Sequence, residues 1–263
     1  MNKTYVALGV AVLVLAVGVW WERRSPPVAV PPQNVPEVVA TSTVTSTSST
    51  PAAPKPVSKP QSFSLAPGEV VSSWDFKGLA TGNAELEKKA HTDIDRLNAM
   101  FGTEGNTDYI LNVSIAAQYD LLGDGAREYE YLLKALAKDP KNTTGLAWYN
   151  LGTLLSRLNA FRSARVAYAK AVVAQPDIEE YQTKYFEFLT QQFPKETAAI
   201  EKAFASVNVV SYEQSTLLQI HARWLEGQGR IKEAIADWQK VKTLSPDSAA
   251  AVDIEIQRLQ SEL

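Results

Sequence analysis

Large apolar side chains recur every three or four residues through 145–177, "GLAWYNLGTLLSRLNAFRSARVAYAKAVVAQPD". This spacing places them along one face of an α-helix. Small residues, Gly152, Ala164 and Ala171, stand where two such helices would touch, and a small residue on one helix leaves room for a large one on the next. The pattern therefore predicts two helices that pack closely against each other in antiparallel directions.

The same pattern returns at a fixed interval. Pro140, Pro176 and Pro246 stand 36 and 70 residues apart, so that one repeat between the last two has lost its proline. Counted back from these prolines, equivalent positions hold a small residue on each helix, a turn-forming residue between the helices and a large residue that fills the gap. These sets are Ala116, Gly152 and Ala222; Ala135, Ala171 and Val241; Gly123, Asn159 and Gly229; and Leu132, Tyr168 and Trp238.

Four helix pairs follow from this interval, within 109–248. In the first pair Glu128 takes a small-residue position, and the third pair is degenerate because Phe186 and Val210 replace its glycine and proline. Apolar residues at helical spacing predict capping helices on both sides, the first starting after Asn83, because an array must cover its terminal apolar faces. The predicted units are a capping segment at 74–108, pairs at 109–142, 145–178, 179–212 and 215–248, and a capping helix at 249–263.

The segment from Trp148 to Pro176 resembles the tetratricopeptide repeat (TPR) family. It has the family's Trp and Leu-Gly in "WYNLG", then Ala164, Tyr168, Ala171 and the final proline, with leucine at 155 where tyrosine is usual. The resemblance implies an all-α, right-handed superhelical array of antiparallel helix pairs, a TPR-like solenoid. It also implies that the first helix of each pair lines a concave wall that binds an extended peptide or a partner's helix.

The resemblance assigns the wall by position. Tyr149 is the foremost candidate because it lies one residue off the buried stripe; packing against the neighbouring repeat is the alternative. Glu180 stands where relatives that clamp a C-terminal carboxylate have a lysine. Binding of a C-terminal carboxylate is therefore not expected. The expected binding residues are Val113, Leu146, Tyr149, Asn150, Thr153, Arg157 and Arg223, and further wall positions are Ile110, Ala117, Ser156, Glu180, Thr183, Glu187, Thr216 and Gln219.

An uncharged apolar segment of 17 residues runs from Tyr5 to Trp21, with Arg23 and Arg24 just beyond it. Its length is close to the lower limit for a membrane span, and its terminal aromatic residues suit the membrane interface. We predict a single transmembrane anchor within 1–24. A cleaved signal peptide is the alternative, because small residues at 16 and 18 follow the apolar core.

Residues 25–73 are rich in Pro, Ser and Thr and poor in large apolar residues, which predicts a disordered tether. Such stalks resemble those that lift a domain through an envelope or cell wall, and this favours repeats outside the cytoplasm. The two arginines after the apolar segment favour the opposite orientation, because positive charge is enriched on the cytoplasmic side. The expected localisation is the cell membrane, with the C-terminal domain extracytoplasmic.

Charge and candidate chemistry restrict the function further. Residues 74–263 contain 21 Lys and Arg against 26 Asp and Glu, which disfavours binding to nucleic acid. The chain has no cysteine, and its two histidines, His91 and His221, lack the neighbours of a metal or catalytic site. The sequence thus favours a membrane-anchored, non-enzymatic scaffold without cofactor or metal that binds a protein or peptide in an envelope complex. A homo-oligomeric structural protein and an enzyme accessory or cryptic hydrolase are the alternatives.

Overall fold

A computed structural model describes residues 63–207 and 215–263. About 70% of these residues are helical, and the described part contains no strand. The predicted anchor and most of the predicted tether lie outside the described residues. The helices are α1 (Ala84–Ala99), α2 (Asp108–Leu122), α3 (Gly125–Lys138), α4 (Leu146–Arg157), α5 (Phe161–Ala174), α6 (Glu179–Gln192), α7 (Thr197–Ala205), α8 (Ser215–Gly227), α9 (Ile231–Leu244), a short 3-10 helix (Pro246–Ser248) and α10 (Ala249–Gln260).

The helices pack in adjacent pairs, α2 with α3, α4 with α5, α6 with α7, and α8 with α9. Gly123, Asn159 and Gly229 have φ of 80°, 59° and 72°, so that the three predicted turn positions all adopt the left-handed conformation. Helix α1 packs on α2, and α10 packs on α9. The prediction of an all-α fold built from helix pairs is confirmed. Within the described ranges, no helix has both the length and the apolar character to cross a membrane.

The pair α4 and α5 shows why the repeat needs small residues. A Cβ atom added at Gly152 would lie 2.6 Å from Cδ1 of Tyr168, closer than a methyl group can approach. The side chain of Tyr168 is 1% exposed and fills the space beside this glycine. Ala164 and Ala171 are fully buried in the same core. The predicted close contact between the two helices is therefore present.

The third pair departs from the others, as its sequence indicates. Its second helix, α7, has only 9 residues. Phe186, which replaces the glycine, is buried with its ring centroid 5.5 Å from that of Phe204 and 5.9 Å from that of His221. An aromatic cluster thus takes the place of the close glycine contact. Val210, the second departure, lies outside the described residues.

Residues 63–76, here called the strap, lie across the second helices α3 and α5. The Phe63 ring meets Trp148 edge-on at 5.7 Å, and the Tyr129 hydroxyl donates a hydrogen bond to the Phe63 carbonyl at 3.3 Å. The ring of Trp74 packs on Tyr129 at 4.9 Å. The expectation that residues 63–73 belong to a disordered tether is therefore wrong, because Phe63, Leu65 and Val71 pack against the core of the array.

Glu69 of the strap caps helix α5. Its carboxylate oxygens accept hydrogen bonds from the backbone N–H groups of Arg162 and Ser163, both at 2.9 Å. The N-cap residue of this helix, Ala160, offers no side-chain acceptor. Although partial burial acts to raise the pKa of Glu69, the hydrogen bonds from Ser163 and Arg162 outweigh it and lower that pKa. The strap therefore supplies a cap that the helix's own sequence lacks.

Candidate protein-binding face

The first helices of the four pairs, α2, α4, α6 and α8, form what we call the first-helix face. Neighbouring first helices contact one another directly, since the Tyr149 ring of α4 lies 5.1 Å from Tyr181 of α6, and α6 packs on α8. The strap lies mainly on the second helices α3 and α5, and it reaches α4 through Phe63 at Trp148 and Phe76 at Arg157. Two depressions on the first-helix face are described below, and both have an acidic lining.

The larger one, the α6 depression, has a volume of about 420 Å³ and is open to solvent. Helix α6 supplies most of its wall, which includes three glutamates and one lysine. The lysine, Lys184, forms an ion pair with Glu187 at 3.1 Å. Three successive pairs thus contribute to one surface, lined by Tyr149, Glu179, Glu180, Thr183, Lys184, Glu187 and Thr216.

Tyr149 lines this depression but is also held by its neighbours. Its hydroxyl donates a hydrogen bond to Glu180 Oε1 at 2.9 Å, and its ring packs between Tyr168 and Tyr181. Burial, followed by the hydrogen bond to Glu180, raises the pKa of the Tyr149 hydroxyl. The structure therefore shows the packing that the sequence left as the alternative, and only part of Tyr149 is accessible to a ligand.

The smaller depression, the Glu128 cavity, has a volume of about 150 Å³ and lies where α2, α3 and α4 meet. Two of the expected wall residues, Asn150 and Thr153, line it from α4. The Thr153 hydroxyl donates to the Tyr149 carbonyl at 3.1 Å and accepts from the Tyr168 hydroxyl at 3.2 Å. The complete lining consists of Ala116, Ala117, Asp120, Glu128, Asn150 and Thr153.

Glu128 is the most unusual side chain in this cavity. It is 5% exposed, and its Oε2 atom has no hydrogen-bond partner among the described residues. Burial and the nearby charge of Asp120 raise the pKa of the Glu128 carboxyl to about 9, against a smaller opposing effect of Arg157. Glu128 is therefore a neutral acid at pH 7, whereas Asp120 forms an ion pair with Arg157.

The remaining expected residues line neither depression, although Arg157 reaches the edge of the Glu128 cavity through its ion pair with Asp120. Val113 is buried at 6% exposure, so the expectation that it lines an accessible wall is wrong. Val113 belongs to the same buried core as Trp148 and Leu151 of α4, and Leu146 packs partly buried against that core. Arg157 pairs with Asp120 and places its guanidinium 4.3 Å from the Phe76 ring centroid. Arg223 lies over Trp238 at 5.8 Å.

Sequence reasoning missed Glu128 and Asp120 as candidate ligand contacts. The signal for Glu128 was present, because a charged residue in a small-residue position must find either a partner or a cavity. Asp120 gave no such signal, because an aspartate near a helix end is common. Of the positions that the resemblance assigns, Ala117 lines the Glu128 cavity, and Glu180, Thr183, Glu187 and Thr216 line the α6 depression.

Comparison of the chain with family models, curated proteins and solved structures finds no match in any of the three. The TPR assignment therefore stays a resemblance. His221 is buried with Nδ1 2.6 Å from Asp237 Oδ2, and its ring stacks on Phe204 at 3.9 Å. Over the described ranges, His, Asp and Glu side chains form no group of three or more that could bind a metal ion.

Proposed function

We propose that the chain is a membrane-anchored, non-enzymatic scaffold with a TPR-like right-handed superhelical array, and that its first-helix face binds an extended segment of another envelope protein. The α6 depression is the observation that supports this proposal best. First helices of three successive pairs build it, its volume of about 420 Å³ suits several side chains, and it is open to solvent. An extended chain can contact such a surface over several consecutive residues.

The position of the strap is a second argument for the first-helix face as the binding surface. It already covers second helices α3 and α5 and caps α5 through Glu69. A partner can therefore reach the first-helix face, whereas the strap already covers part of the second helices α3 and α5. The acidic lining of the α6 depression, with three glutamates against Lys184, favours a partner segment with basic side chains.

The experiment is a pull-down from membranes with the full chain and two variants. Thr183→Arg places a large side chain into the α6 depression, whereas Val173→Arg introduces the same side chain at a position on α5 that is 76% exposed. We expect Thr183→Arg to abolish recovery of a partner that wild type and Val173→Arg both retain. Equal recovery with all three proteins would show that the partner does not bind at the α6 depression.

The proposed location has its own test. The proline-rich segment after the predicted anchor supports a C-terminal domain outside the cytoplasm, whereas Arg23 and Arg24 favour the opposite orientation. A C-terminal alkaline phosphatase fusion is expected to be active, and a cytoplasmic reporter at the same place silent. The reverse pattern would refute the extracytoplasmic location. Light scattering on the purified chain tests the homo-oligomeric alternative.

A further inference from the structure

The Glu128 cavity contains a buried acid that the fold does not use. Glu128 occupies a position where the equivalent pairs have small residues, yet its Oε2 atom has no partner within the described ranges. A water needs only about 10–15 Å³ of comparable space. The cavity volume of about 150 Å³ therefore admits a group of several heavy atoms beside the carboxyl. A buried carboxyl beside such a space is unfavourable unless water or a ligand supplies the missing hydrogen bond.

We propose that the Glu128 cavity binds the side-chain ammonium group of a lysine from the partner chain, an inference that rests on the proposed protein-binding function. Glu128 and Asp120 supply carboxylate oxygens, and the Asn150 carboxamide adds a neutral oxygen acceptor. No hydrogen bond engages the Asn150 side chain within the part of the chain that the structure describes. An ammonium group donates three hydrogen bonds and accepts none, which matches this set of acceptors.

The charge balance of the cavity favours a single added cation. Asp120 faces Glu128 from α2, and Arg157 faces it from α4; these are the two charges that act most on it. The strap contributes the Phe76 ring, which holds the Arg157 guanidinium. When Glu128 is ionised, two carboxylates share one guanidinium. With one ammonium group added, two cations balance the two carboxylates.

The size of the cavity favours lysine over arginine. Lysine ends in a compact point charge on an unbranched chain, whereas arginine ends in a wide planar fork that needs more space and pairs best with an accessible carboxylate. Asp120, the more accessible of the two acids, already has a guanidinium partner in Arg157. A second guanidinium would need both oxygens of that carboxylate for a bidentate pair, whereas an ammonium group needs only one acceptor oxygen from it.

Proton release distinguishes this site from an ordinary acidic surface. Because burial and Asp120 raise the pKa of the Glu128 carboxyl to about 9, the empty cavity holds a neutral acid. When the ammonium group enters, Glu128 loses its proton to solvent and forms the ion pair. Binding at pH 6–8 thus releases up to one proton, and the affinity should rise with pH up to tenfold per pH unit.

The test uses the full chain and three blocked pentapeptides with glycine at every position except the centre, which is lysine, norleucine or arginine. NMR signals of the Asn150 carboxamide report dissociation constants at pH 6, 7 and 8, where the lysine stays protonated. We expect the lysine peptide to bind more tightly than the other two, and its affinity to rise tenfold per pH unit at most. Glu128→Gln should remove this pH dependence and weaken binding at least tenfold at pH 8.

Glu130→Gln is the matched control, because Glu130 lies on the same helix and pairs with Lys134 at the surface. It should bind the lysine peptide as wild type does.

Four results would each overturn the proposal: equal affinity for the norleucine peptide, wild-type affinity in Glu128→Gln, an affinity that does not change with pH, or no binding at millimolar peptide. If the peptide results hold but Thr183→Arg still recovers the partner, the proposed binding at the α6 depression fails and the lysine site stands. If the membrane pull-down succeeds but the peptides fail, only the lysine site is refuted.

Discussion

Replacing Glu128 by glutamine should change how the stability of the protein depends on pH. The side chain is 5% exposed, and its carboxyl has a pKa of about 9, mainly because burial disfavours its charged form. In the unfolded chain the same carboxyl has its ordinary pKa, near 4.5. Folding therefore forces Glu128 to take up a proton at any pH between these two values. Glutamine has the same shape and requires no proton.

The size of the effect follows from the difference in pKa. The folded state binds more protons than the unfolded state between pH 4.5 and 9, so the contribution of this group to stability falls as pH rises through that window. At pH 7 the cost of protonating Glu128 is about 3 kcal/mol, from a gap of roughly 2.5 pH units at about 1.4 kcal/mol each. The buried glutamine amide has its own desolvation cost of about 1–3 kcal/mol. This second cost does not change with pH.

The assay is urea unfolding of wild type and Glu128→Gln at pH 5, 6, 7 and 8. We expect the free energy of unfolding of the variant, relative to wild type, to increase by about 4 kcal/mol between pH 5 and 8. Other titrating groups are common to both proteins and cancel in the difference. Glu130→Gln, on the same helix but exposed, should follow the wild-type curve. A difference between Glu128→Gln and wild type that stays constant with pH would refute the buried neutral acid.

Further predictions concern packing and the strap. Gly152→Leu should destabilise the protein by roughly 1–3 kcal/mol in thermal unfolding, because the added side chain meets the Tyr168 ring. Gly227→Ala should be neutral or stabilising in the same measurement, because nothing lies within 4 Å of its added Cβ. Glu69→Gln should cost roughly 0.5–2 kcal/mol at pH 7 through the weakened cap. Because the fold lowers the pKa of Glu69, wild type should lose this advantage as pH falls below the ordinary glutamate value, and equal acid sensitivity would contradict the cap. Deleting 63–76 should lower the melting temperature by more than Glu69→Gln does, and an unchanged value would show that the strap contributes nothing.

The sequence by itself determined the helices, their pairing and their turns. These features depend on contacts between residues close in the chain, where helical periodicity and size complementarity act directly. Gly152 and Tyr168, only 16 positions apart, show this, and so do the turns at Gly123, Asn159 and Gly229. The position of the candidate wall also follows from the repeat, because the register decides which residues face one side.

Only the tertiary structure decided which of those residues a ligand can reach. Val113 and Tyr149 both occupy expected wall positions, but the neighbouring helices bury the first and hold the second between two tyrosines. The order of the strap likewise depends on distant partners, since Glu69 caps a helix 94 positions along the chain. The Glu128 cavity needs three helices at once. Local sequence patterns do not predict such contacts, because each contact depends on how separate elements approach one another in space.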